Sequence, residues 1–502
     1  MYMKQWLFIS LFSHKVQVSR AMEIERKLLR LLHGQKTRTR LSEIHAHFLR
    51  HGLHGSNLLL AHFISICSSL NKSDYAYGVF SQIQNPSILV FNAMIKCYSL
   101  LGPAMESLRF FSSMKSRGIW ADEYTYAPLL KSCSSVCDLR LGECVHGEVI
   151  RTGFHRFGSI RIGLMELYAS GSKMGDAKKV FDEMRDKDVV VWNVMIRGFC
   201  NVGDVDTGLN LFRQMTERTV VSWNSMISSL SQCGRDRDAL EQFCEMRDQG
   251  FDPDEVTVVT VLPICARLGV TDVGKWIQSF VESNGLFHDF TSVGNALLDY
   301  HCKCGELETA VSLFKQMQRK NVVSWNTMIS GSAVNGKGEL GIDLFNEMIN
   351  EGVITPNVAT FLGVLACCSY TGRVDRGREL FALMRERFNL EPRTEHYGAM
   401  VDLLSRSGRI REAFEFLRVM PVEANAAMWG SLLSACRSHG DVELAEIAAM
   451  ELVRIEPLNS GNYVLLSNLY AEEGRWEDVE KVRTLMKQKC LRKSAGQSTV
   501  AF

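Results

Sequence analysis

Hydrophobic and polar residues follow a pattern in this chain that is far longer than one helix. Four segments superpose: VVVWNVMI from Val189, VVSWNSMI from Val220, VVSWNTMI from Val322 and AAMWGSLL from Ala426. Their tryptophans, Trp192, Trp223, Trp325 and Trp429, stand 31, 102 and 104 residues apart. The two long gaps divide into steps of 35, 36 and 31 and of 36, 36 and 32. A unit of 31 to 36 residues therefore repeats, and self-similarity at such a period marks a solenoid of supersecondary units.

Frames opened at 88, 123, 158, 189, 220, 255, 291, 322, 358, 394, 426 and 460 share one grammar. Residue fifteen is Gly at 102, 203, 234, 269, 305, 336, 372, 408, 440 and 474. After some twelve helical residues, Gly is the left-handed stop that lets a chain turn back. Residue twenty-four is Phe at 111, 181, 212, 243, 314, 345 and 381, and residue twenty-seven is Met at 114, 184, 215, 246, 317, 348, 384 and 420. Three apart, these two share one face of a second helix. Pro253, Pro356 and Pro392 stand one residue before a frame ends, where no helix should continue. Each frame is thus predicted as helix, glycine turn, helix and short loop. Neither helix buries its apolar face alone, and stacked neighbours complete the core. Weaker frames begin at 22 and 57, and no Gly/Ser linker or charge block interrupts residues 22–493. The expectation is one all-α array.

Composition agrees and narrows the chemistry. The 502 residues are 46% hydrophobic and 23% charged, with only 9 prolines, as expected of a folded helical chain. A net charge of +1 offers no bulk attraction to nucleic acid, so any such binding needs a local surface. The 15 cysteines show no disulfide spacing. Cys97, Cys200, Cys265 and Cys436 fall where a repeat wants a small buried residue, which predicts reduced structural thiols and a reducing compartment. Residues 1–21 differ from the rest. They carry Lys4, Lys15, Arg20 and three serines (Ser10, Ser13 and Ser19), and the first acidic residue is Glu23. Such a start resembles an organelle transit peptide. The apolar run Trp6–Phe12 is too short for membrane insertion, and no small-x-small site follows it to suggest a secretory signal.

Catalytic and cofactor signals fail on inspection. Gly269–Lys275 and Gly331–Lys337 have the GxxxxGK spacing, but Trp276 and Gly338 follow the lysines where a P-loop needs Ser or Thr. His146-Gly147-Glu148 has the H-x-E form of zinc deaminases without a P-C-x-x-C anywhere, and reads as helix surface. Cys302 and Cys304 are too close for ordinary paired zinc ligands. No catalytic residue, metal ligand or cofactor is expected.

Places five and last carry the information. The fifth residue, on the first helix, is Asn wherever it is polar: Asn92, Asn193, Asn224, Asn295 and Asn326. The residues closing those frames are Asp122, Thr219, Asp254, Asn321 and Asn357. An Asn amide both donates and accepts, and so complements the Watson–Crick edge of a base. Apolar second residues (Leu89, Val190, Val221, Val323) suit contact with base faces. The competing reading makes the five asparagines helix caps; capping would accept Ser or Asp as well, and neither occurs there.

The repeat VVSWNTMISGSAVNGKGELGIDLFNEMINEGVITPN (322–357) resembles the pentatricopeptide repeats of plant proteins, and the likeness extends over residues 22–493. Frames 88, 220 and 322 look like the P type of the P-L-S subclass. Frames 123, 255 and 358 look like the L type, and 57, 158, 189 and 291 like the S type. AAMWGSLLSACRSHGDVELAE and GNYVLLSNLYAEEGRWEDVEKVR resemble the C-terminal E extension. The resemblance implies a right-handed superhelix with a repeat array over 22–425, an E-type extension over 426–493 and a short tail over 494–502, leaving no room for a deaminase-like domain. It implies a non-enzymatic protein that binds single-stranded organellar RNA, in the mitochondrion or alternatively the chloroplast, and selects cytidines for C-to-U editing. The deaminase, or other editing cofactors, would dock at 426–493. RNA stabilisation, processing or splicing is the alternative within the same class. A protein-binding scaffold of tetratricopeptide type is the alternative outside it, though those arrays keep a strict period near ~34. By the family's code, Asn with Asp (Asn92/Asp122, Asn224/Asp254) favours uridine. Asn with Thr or Asn (Asn193/Thr219, Asn295/Asn321, Asn326/Asn357) accepts either pyrimidine. Ala127, Ile162, Val259 and Leu362 at place five leave their bases unread. The implied core, from frame 88 onward, is U-n-n-Y-U-n-Y-Y.

Overall fold

The computed structural model describes residues 41–489, apart from 51, 52 and 54. The transit-like segment 1–21, the frame opening at 22 and the tail 494–502 therefore lie outside or partly outside the described residues. Those that are described form α-helices, one short 3-10 turn and no strand. They gather into two compact units, one ending at Phe251 and the other beginning at Asp252.

Within each unit the repeat grammar becomes paired helices. A first helix opens on the first residue of all twelve frames, from Ile88–Leu101 to Ser460–Glu472, and Asn57–Ser69 does the same for the weaker frame at 57. Within a unit most consecutive first helices pack on one another, and most second helices pack on their own first helix and on the next. Aromatic residues join the frames. Phe212 meets Trp223 edge-to-face with ring centres 4.7 Å apart, Phe314 meets Trp325 at 4.9 Å, and Phe345 meets Phe361 at 5.4 Å. The Phe at place twenty-four thus packs on the aromatic at place four of the following frame. Trp223 and Trp325 are wholly buried by this contact.

All ten glycines at place fifteen have positive φ, from +67° to +88°. Where Gly is missing the turn persists: Asn71, Cys137 and Ser172 adopt φ of +59°, +56° and +57°. The stacked helices impose the turn there, and the side chain bears a cost of roughly 1 kcal/mol.

The structure also explains the alternating frame lengths. In the long frames the second helix has 13 or 14 residues, as in Ala104–Ser116 and Gly338–Glu351. In the short ones it has 9 or 10, as in Met174–Asp182, Val205–Gln214 and Leu307–Gln316. One helical turn, ~3.6 residues, has been removed. The expectation that Met at place twenty-seven lies on the second helix is corrected accordingly. Met215 and Met317 follow the helix end in extended backbone, yet both remain buried.

The discarded motifs resolve into packing. Gly269 ends a helix with φ +68°, and Gly331 sits inside one, where a Cβ would come within 2.3 Å of Cys302 Sγ. Cys97, Cys200, Cys265 and Cys436 are buried, and burial pushes the Cys200 and Cys436 thiols up to about 11. His146, read as surface, is half-buried and shares a 2.6 Å hydrogen bond with Tyr168 Oη.

Candidate nucleic-acid interface

The N-terminal turns of the first helices build the candidate site. The four free N–H groups there need acceptors, and the residue closing each preceding frame supplies one. Asp122, Thr219, Asp254, Asn321 and Asn357 each sit at an N-cap in extended backbone and accept from the N–H of the third helical residue. In all five the third residue, Thr125, Ser222, Thr257, Ser324 or Thr360, returns its hydroxyl to the cap's own N–H, closing a capping box. Capping therefore belongs to the frame-closing residues. The alternative that the fifth-place asparagines are caps is overturned.

Three predicted pairs are joined directly within a unit. Asn92 Nδ2 donates to Asp122 Oδ1 at 2.9 Å, Asn295 Nδ2 to Asn321 Oδ1 at 3.2 Å, and Asn326 Nδ2 to Asn357 Oδ1 at 3.1 Å. Each asparagine oxygen accepts from the third-place hydroxyl of the next frame. Thr125 Oγ1 donates to Asn92 Oδ1, Ser324 Oγ to Asn295 Oδ1 and Thr360 Oγ1 to Asn326 Oδ1, all at 2.6 Å. The third-place residue was missed by sequence reasoning, although its Ser or Thr identity was in plain view. Asn193 behaves differently. It makes no bond to Thr219, and its Oδ1 is buried with no hydrogen-bond partner. Thr219 offers a single side-chain oxygen, which takes Ser222 N–H at 3.4 Å and lies 3.2 Å from Ser222 Oγ. Asn224 and Asp254 belong to different units; Asn224 is buried, and Asp254 caps as described.

Apolar second-place side chains stand out in solvent beside these polar groups. Leu89, Val190, Val221 and Val323 are 48–61% exposed. Leu58, Tyr124 and Val256, not singled out beforehand, are exposed at the same place. In the N-terminal unit a cleft of about 860 Å³ brings Leu89, Asn92, Asp122 and Tyr124 together with Lys96 and Lys131. The apolar fifth residues Ala127 and Ile162 also line it. In the C-terminal unit Asn326 lines a smaller cleft of about 320 Å³ with Lys303 and Ser330. The result is a surface of exposed apolar flanks, oriented amides and scattered lysines. Among the described residues no group of three or more His, Cys, Asp or Glu is arranged to hold a metal ion, and no helix is long and apolar enough to cross a membrane.

Helical-hairpin frames with oriented polar pairs at the first-helix N-termini define a repeat solenoid of the pentatricopeptide kind. Known proteins agree. Family models described as PPR repeat or PPR repeat family match residues 89–119, 163–189, 186–216, 218–267, 295–322, 320–369 and 395–423, and the E motif model matches 439–501. One pentatricopeptide repeat-containing protein of Arabidopsis thaliana is 78% identical over 479 residues, covering 95% of this chain and 99% of that protein. Another from the same plant, named mitochondrial, is 40% identical over 98% of this chain and 75% of its own length. A third, named chloroplastic, is 38% identical over 94% and 86%. The crystal structure of the maize pentatricopeptide repeat protein PPR10 aligns over 86% of this chain and 64% of that one, with a TM-score of 0.50 at 16% identity. The chain belongs to the pentatricopeptide repeat family, in its P-L-S subclass with an E-type extension.

Proposed function

We propose that this protein is a sequence-specific single-stranded RNA-binding factor of plant mitochondria that selects cytidines for C-to-U editing. The deaminase is supplied by another protein docking at residues 426–493. The observation that carries the reading is the polarity of the joined pairs. The N–H of Thr125 can only donate, and it takes Asp122 Oδ1 at 3.0 Å. Asn92 donates to that same oxygen, so Asp122 Oδ2 and one Asn92 N–H remain to meet a base. An acceptor beside a donor matches the N3–H and a carbonyl of uridine. Where Asn321 or Asn357 replaces the aspartate, its Oδ1 caps and its Nδ2 remains, a donor suited to the N3 or O2 acceptor of a pyrimidine. Exposed apolar second-place side chains, Leu89, Val190, Val221 and Val323, flank four of the five bases. The E motif match supports editing over other RNA processing, and relatives named mitochondrial and chloroplastic support an organelle.

Sequencing organellar transcripts from plants lacking the protein tests the proposal. At least one mitochondrial cytidine on a transcript carrying U-n-n-Y-U-n-Y-Y is expected to stay unconverted. Complete conversion at every such transcript, with altered ends, abundance or introns instead, would replace editing by processing or splicing. A lesion confined to plastid transcripts would move the protein to the chloroplast.

A further inference from the structure

The third place of the first helix carries a regularity that capping alone does not demand. Each frame with Asn at place five is followed by a frame with a hydroxyl at place three. Asn92 is followed by Thr125, Asn193 by Ser222, Asn224 by Thr257, Asn295 by Ser324 and Asn326 by Thr360. Where place five is apolar the hydroxyl is absent: Ala127 is followed by Ile160, Ile162 by Val191, Val259 by Val293 and Leu362 by His396. A cap needs no such company. Asp188 accepts the N–H of Val191 at 2.9 Å with no third-place hydroxyl. The hydroxyl therefore goes with the asparagine of the preceding frame, and not with capping as such.

We propose that the third-place Ser or Thr is a positioning residue, which fixes which end of the preceding asparagine's amide meets the base; this rests on the base-reading function proposed above. A chain of forced polarities leads there in the pair Asn326/Asn357. Thr360 N–H, a donor only, lies 3.0 Å from Asn357 and so faces its oxygen. That oxygen lies 3.1 Å from Asn326, which must present Nδ2 to it. Asn326 Oδ1 is then turned to Thr360 Oγ1 at 2.6 Å and takes its proton. Thr360 Oγ1 also accepts from Asn357 N–H at 3.0 Å, and for its own proton Asn326 Oδ1 at 2.6 Å is nearer than the cap oxygen Asn357 Oδ1 at 3.1 Å. One Nδ2 hydrogen of Asn326 is left over, while the oxygen end that would attract a purine amino group is turned to Thr360. Thr360 is fully buried, so it acts on RNA only through Asn326. The same three bonds recur at Asn92, Asp122 and Thr125 and at Asn295, Asn321 and Ser324. Around Asn193 the network is open, because its Oδ1 has no partner; its base is read less strictly than those opposite Asn92, Asn295 and Asn326.

The test measures the full chain against four single-stranded RNA oligonucleotides that carry the core and differ only at its eighth place, opposite frame 322. Thr360→Val keeps the shape and removes the hydroxyl. It is expected to lower the pyrimidine-over-purine ratio at that place about fivefold, the weight of one ordinary hydrogen bond, and to leave the first place unchanged. Thr360→Ser is expected to restore the ratio. A purely structural role would weaken all four RNAs alike and leave the ratio intact; that result, with the Thr360→Val protein folded, overturns the proposal. Asn326→Ala separates the two levels. If it shifts the ratio while Thr360→Val does not, positioning fails and base reading stands; if it leaves the ratio flat, both fall. Should Thr360→Val not fold, Thr125→Val puts the same question at the first place, where the uridine preference is expected to drop by a similar factor and an unchanged preference counts against the proposal.

Discussion

Replacing Asn92 by Thr is expected to weaken binding about tenfold to an RNA with U at the first place of the core, and to move the preference there toward G. A good bidentate base contact is worth about 1–3 kcal/mol by analogy with base readout in DNA, and the substitution removes the donor half of one. Asp122 keeps its cap bond to Thr125 N–H at 3.0 Å, so its outer oxygen still accepts. Thr is shorter than Asn, which leaves room for a purine, and guanine offers N1–H and N2–H to the carboxylate. Competition binding with four oligonucleotides differing at that place reads the change. A preference that stays at U in the folded variant would show that Asn92 does not face the base.

The second large effect concerns the joint between frames. Trp325→Ala is expected to destabilise the C-terminal unit by about 3–5 kcal/mol, the usual cost of deleting a fully buried aromatic. Trp325 is 1% exposed and stacks edge-to-face on Phe314 with ring centres 4.9 Å apart. In a solenoid each frame is held by its neighbours, so the loss falls on the interface between frames 291 and 322. Trp325→Phe is expected to cost far less, because the indole Nε1 has no hydrogen-bond partner to lose. Urea midpoints measure both, and an alanine variant as stable as the phenylalanine one would contradict the packing account.

Much of this architecture is legible in the sequence because repetition averages out local ambiguity. One apolar run could be helix or strand, but Phe212, Phe243, Phe314 and Phe345 at one place of their frames leave only a helical hairpin. Features that depend on one frame's neighbours were not legible. Cys137 and Ser172 make the left-handed turn without glycine, since packing, and not propensity, decides there. The shorter second helices were visible only as shorter spacings, and nothing in the letters said which element had lost a turn. At the candidate site the asparagines and their partners were found by the chemistry of the amide. The division of labour was not, because Asp, Asn and Thr at a frame's end serve equally as caps and as base readers. The hydroxyls of Thr125, Ser324 and Thr360 escaped notice because Ser and Thr are common near helix starts, and only the 2.6 Å contacts set these apart.

The central claim is that these oriented pairs read bases in order along the frames. Selection of single-stranded RNA from a randomised pool by the wild-type chain tests it most directly. The account predicts enrichment of U-n-n-Y-U-n-Y-Y, with uridine at the first and fifth places and either pyrimidine at the fourth, seventh and eighth. A recovered pool with no preference at those places, or with purines in them, would contradict it.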